Sequence, residues 1–81
     1  MREKFKQEYG KELYDKIESE SGLVGARVKL PDKYYCGEGT VIGLWLPANP
    51  EDGVKRKYNL WYVKWDKGTN GIVDENELIK I

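Results

Sequence analysis

The chain has 81 residues, of which 40% are hydrophobic, 12% aromatic and 35% charged, and this length and mixture allow one small globular domain with a modest core. Fourteen Lys and Arg balance fourteen Asp and Glu, which argues against avid, non-specific attraction to nucleic acid. There is no histidine, and Cys36 is the single cysteine, so His-based triads, the usual transition-metal ligands and an intrachain disulfide are all excluded.

Residues 3–20 contain no proline and are rich in Glu and Lys. Phe5, Tyr9, Leu13 and Ile17 recur every four residues with Tyr14 beside them, which predicts one amphipathic helix over this stretch. Gly10 lies inside that pattern at a cost of about 1 kcal/mol relative to alanine. Gly22 is placed to end the helix in a left-handed cap. The expected division is an N-terminal helix over 1–22 and a β-rich remainder over 23–81.

After Gly22 the period changes to two. Ala26, Val28 and Leu30 alternate with Arg27 and Lys29 in a half-buried strand stopped by Pro31-Asp32. Thr40 to Leu46 predicts a second strand bent at Gly43. Strict alternation puts Val41 and Trp45 on one face, with Ile42, Leu44 and Leu46 on the other. The segment from Pro47 to Gly53 is a loop. Tyr58 to Trp65 is the strand richest in aromatic and β-branched residues: Trp61, Val63 and Trp65 on one face, Tyr58, Leu60, Tyr62 and Lys64 on the other. A turn at Asp66-Lys67-Gly68 leads to a short fourth strand over 71–74. Leu78 to Ile81 makes the fifth. Because the second and third strands are apolar on both sides, the sheet needs a second cover: the helix stripe is the one within this chain, and the alternative is a partner or a second copy.

The first strand opened by Gly25-Ala26-Arg27-Val28, the run Gly37-Glu38-Gly39-Thr40-Val41-Ile42-Gly43, and the segment Tyr62-Val63-Lys64-Trp65-Asp66-Lys67-Gly68 followed by Val73 and Leu78 together resemble the SH3-like small-barrel superfold. That group includes Tudor, chromo-barrel and KOW-type domains. The resemblance implies a mainly β fold: a small barrel of about five strands with one amphipathic helix packed on it. Its motif is made of turn glycines and core positions, so it speaks to fold more than to function. Tudor domains use an aromatic cage for methylated side chains. Lys67 stands where the cage tyrosine would be, while Tyr34 and Tyr35 in the first loop could supply walls. The layout is also similar to the type II dihydrofolate reductases, which implies an oligomeric pore enzyme as a remote alternative, but Gly71-Ile72-Val73-Asp74 replaces their Val-Gln-Ile-Tyr motif.

The remaining chemistry is sparse. Gly37, Gly39 and Gly43 miss the spacing of a phosphate loop and read as a turn and strand bulge. Cys36 has no histidine or helix N-terminus to activate it. Asp74, Glu75 and Glu77 form an acidic turn without calcium-loop spacing. No catalytic residue, metal ligand or cofactor site is expected, and no apolar run reaches the roughly 20 residues that span a bilayer. The charged stretch Met1 to Lys6 does not fit a secretory leader, so a cytoplasmic location is expected. The expected function is non-catalytic protein binding through Tyr34, Tyr35, Tyr58 and Tyr62. A small accessory or inhibitory factor acting on a larger protein machine fits this size, of the kind carried by a phage or mobile element. The partner is a protein, and the chain itself is a monomer or small homo-oligomer. The alternative is RNA or single-stranded DNA, held by Lys55, Arg56 and Lys57 beside neighbouring aromatics, although the 23–81 segment carries nine basic against eight acidic residues.

Overall fold

The computed structural model describes residues 2–31, 37–48 and 58–81. Tyr34, Tyr35, Cys36, Lys55, Arg56 and Lys57 lie outside the described residues.

Phe5 and Tyr9 stand one turn apart on α1 (Arg2–Tyr9), and Tyr14 and Ile17 do the same on α2 (Lys11–Ser21). The expected single helix is therefore two, and Gly10 is the reason. Its backbone sits at φ 99°, ψ 127°, a conformation open to glycine and strained for other residues. The Gly10 amide still donates to the Lys6 carbonyl at 3.0 Å, and its carbonyl accepts from the Tyr14 amide at 3.3 Å. The break resets the phase of the apolar stripe. Tyr14 is fully buried and Leu13 is exposed, the reverse of the weight that an unbroken four-residue repeat gives them. Gly22 does end α2 in the left-handed region, at φ 65°, ψ 17°.

Five strands follow among the described residues: β1 (Arg27–Lys29), β2 (Glu38–Leu46), β3 (Leu60–Trp65), β4 (Asn70–Asp74) and β5 (Ile79–Lys80). They form one antiparallel sheet in the order β4-β3-β2-β1-β5. The chain is mainly β, and the sheet is not closed: β4 and β5 are its edges, and no ladder joins them among the described residues. One 3₁₀ turn (Glu75–Glu77) connects those edges, with Asp74 Oδ1 accepting from the Asn76 amide at 2.8 Å. So short a connection cannot reach across a flat five-stranded sheet, whose outer strands would lie about 19 Å apart. The sheet must curl.

The core is Tyr14, Val28, Val41, Leu44, Trp61, Val63, Trp65 and Val73, with Phe5, Tyr9, Ile17, Leu23, Leu30 and Leu78 packed against it. β3 alternates as its sequence predicts, with Trp61, Val63 and Trp65 buried. β2 does not. Its register with β3 steps from Val41↔Val63 to Gly43↔Tyr62 and from Leu44↔Trp61 to Leu46↔Leu60. Ile42 and Trp45 are each an extra residue, a β-bulge. The bulge at Ile42 flips the parity, so Leu44 shares the core face with Val41 instead of opposing it. Gly39 faces Trp65 across the ladder, and an added Cβ there would lie 2.7 Å from both the Lys64 carbonyl oxygen and the Trp65 ring.

Candidate functional site

The second bulge shapes the outer face. Trp45 has no partner opposite it in the β2–β3 ladder, and its carbonyl instead accepts a hydrogen bond from the Tyr14 hydroxyl at 2.7 Å. One bond thus joins α2 to β2. The Trp45 ring is half-buried and packs against two aromatic neighbours. Phe5 of α1 meets it edge-on, with centroids 5.8 Å apart and planes at 69°. Tyr62 of β3 also packs against it, with centroids 5.2 Å apart and planes at 42°. Such pairs contribute about 0.5–1.5 kcal/mol each beyond area burial.

This row, Phe5–Trp45–Tyr62, continues onto β4. Tyr62 pairs across the ladder with Ile72, whose side chain is 49% exposed. The Asn70 side-chain amide donates to the Tyr62 hydroxyl at 2.7 Å and fixes the ring's outer end. Leu60 and Lys64 occupy the same face of β3 as Tyr62, by the period of two. The result is a half-exposed aromatic strip with an exposed isoleucine at one end and a lysine at its margin.

Of the expected protein-binding residues, Tyr62 stands in the middle of this strip. Tyr58 is half-buried just before β3. Phe5, Trp45, Ile72 and Asn70 were not among the expected site residues. Trp45 escapes because strict alternation assigns it to the face of Val41, and only the bulges correct that. Gly43 inside the strand is the hint in the sequence, since glycine in a strand often marks a bulge.

The polar constellations are committed to the fold. The Arg27 guanidinium binds both carboxylate oxygens of Asp66, and also donates to Thr40 Oγ1 at 3.0 Å and Glu38 Oε1 at 3.4 Å. This clasp ties β1 and β2 to the β3–β4 turn. The hydrogen bond from Arg27 holds the Asp66 carboxyl below its ordinary range, and Asp66 in turn raises the Arg27 guanidinium. Both terminal guanidinium nitrogens already have acceptors, so it makes a poor anion site. In the acidic turn, Glu75 Oε1 accepts from the buried Trp61 indole N–H at 2.8 Å and from the Asn59 amide at 3.5 Å. Asp74 caps the 3₁₀ turn. Both carboxylates are structural. Among the described residues no cluster of three or more Cys, Asp or Glu could hold a metal ion, and no helix is long and apolar enough to cross a membrane.

The chain matches no protein-family model, no curated protein and no solved structure.

Proposed function

We propose that this chain is a non-catalytic binding module built on a small SH3-like barrel, and that its ligand is a protein segment seated on the strip around Trp45 and Tyr62. The scaffold reading is supported by the strand order, with the first strand beside the fifth, and by sheet edges joined through one short turn. The functional reading rests on the half-exposed row Phe5–Trp45–Tyr62 running into exposed Ile72. Interface centres are poor in charge and rich in Tyr and Trp, and buried aromatics carry much of the binding energy. A partner that suits this face presents an apolar or aromatic side chain beside main-chain polar groups. Tyr62 and Asn70 supply the polar contacts.

The test is capture of a partner by the tagged chain and by Tyr62→Ala, with each lysate split into nuclease-treated and untreated halves. A protein retained after nuclease by the native chain, and lost by a Tyr62→Ala variant of unchanged far-UV circular dichroism, supports the reading. Recovery that vanishes with nuclease, and with Lys55→Ala, Arg56→Ala and Lys57→Ala combined, would replace it with nucleic-acid binding. A partner held equally by Tyr62→Ala would move the site elsewhere.

A further inference from the structure

Among the described residues the sheet has two edges, β4 and β5, and they are protected unequally. β5 is two residues long and carries Lys80. Shortness and an edge lysine are both devices that discourage strand addition. β4 is five residues long, Asn70-Gly71-Ile72-Val73-Asp74, with no lysine, proline or bulge.

The ladder shows which main-chain groups of β4 are in use. The Trp65 amide donates to the Thr69 carbonyl at 2.8 Å, and the Glu75 amide to the Asn59 carbonyl at 3.0 Å. In an antiparallel pair, close hydrogen-bonded pairs alternate with open ones. With the register Trp61↔Val73 and Val63↔Gly71, the amides and carbonyls of Gly71 and Val73 face β3. Those of Asn70, Ile72 and Asp74 therefore point away from the sheet. Ile72 lies at the centre of this row, and its side chain is 49% exposed on the outer face.

Charge chooses the occupant. Lys64 stands opposite Asn70 at one end of the strand, with Lys67 in the adjoining turn, while Asp74, Glu75 and Glu77 stand at the other. A second β4 laid antiparallel about Ile72 brings the basic end of each copy to the acidic end of the other. A parallel copy would set like charges side by side. The antiparallel arrangement is also isologous, so it closes at two copies instead of propagating.

We propose that the chain dimerises through β4, with Ile72 facing the second copy's Ile72 across a two-fold axis. The paired rows exchange about six main-chain hydrogen bonds. Asn70 of each copy meets the second copy's Asp74, and one sheet runs through both. The two aromatic strips then lie on the same side of that sheet, giving a partner two adjacent sites.

Sedimentation equilibrium of the full chain tests this, with twice the 9.4 kDa chain mass expected. Ile72→Pro deletes the outward amide without removing a β3–β4 hydrogen bond, and is expected to restore the monomer with unchanged circular dichroism. Should proline disturb the strand, Ile72→Lys keeps every main-chain group and places like charges on the axis. It is expected to weaken association at least tenfold. Amide exchange at Ile72 should slow as protein concentration rises, and raised salt should weaken the dimer. A native chain that stays monomeric at millimolar concentration would overturn the proposal. So would a dimer that survives both variants, or concentration-independent exchange at Ile72.

Discussion

Replacing Tyr14 with phenylalanine isolates the bond between the helices and the sheet. The ring is fully buried, and its hydroxyl donates to the Trp45 carbonyl at 2.7 Å. Trp45 is the extra residue of a bulge, without a residue opposite it in the β2–β3 register. Tyr14→Phe keeps the ring and deletes the donor. A typical hydrogen bond contributes about 1 kcal/mol net, and stranding a partly buried acceptor raises the loss to about 1–3 kcal/mol. For a domain of this size, 1 kcal/mol lowers Tm by roughly 4–8 °C. The expected loss is therefore about 1–3 kcal/mol, measured by urea unfolding followed by tryptophan fluorescence with m unchanged. Tyr14→Ala goes further, since truncating a buried aromatic costs about 3–5 kcal/mol. That is a large share of the roughly 4–12 kcal/mol a domain of this length has in total. If Tyr14→Phe unfolds at the native midpoint, the bond is not what joins α2 to β2, and the account of the second bulge fails.

Gly10→Ala separates a broken helix from a continuous one. With Gly10 at φ 99°, alanine should destabilise the chain by about 1–2 kcal/mol; a gain of about 1 kcal/mol with added helical circular dichroism would mean that one helix spans the break. Gly39→Ala should abolish cooperative unfolding or lower Tm by more than about 10 °C, because its Cβ would meet main chain as well as a buried ring; a native-like melt would refute that packing. Asp66→Asn should lower stability at neutral pH and flatten its acid dependence. The folded carboxyl lies below the ordinary value of 3.8, so its contribution is present above that value and fades as pH falls through the folded one. Parallel pH–stability curves for the native chain and Asp66→Asn would show that the Arg27 clasp contributes nothing.

What could be read from the residues depended on whether a repeat ran unbroken. Trp61, Val63 and Trp65 are buried where alternation puts them, because β3 pairs on both sides without a skipped residue. Val28 was legible for the same reason. Leu44 and Trp45 were not, because each bulge in β2 shifts every later side chain to the opposite face. Likewise, a four-residue spacing through Gly10 favours Leu13, whereas the break brings Tyr14 inward. The strip around Tyr62 was half legible. Its tyrosine is a sequence candidate on the face of β3 opposite Trp61, but Phe5 arrives from a helix and Trp45 from a bulge. Nothing in linear order brings those two together.

The pairing of β1 with β5 has a kinetic side. Val28 meets Lys80 across roughly 50 intervening residues, the longest loop any ladder in the sheet must close. The β3–β4 ladder turns on four residues, Asp66 to Thr69, and its contacts are nearly local. Search entropy therefore favours β3 with β4 early, with β2 added to them, and β5 docked last onto β1. The same order run backwards makes the β5 strand the first to detach in native-state fluctuations, and its two-residue length gives it little to hold on with.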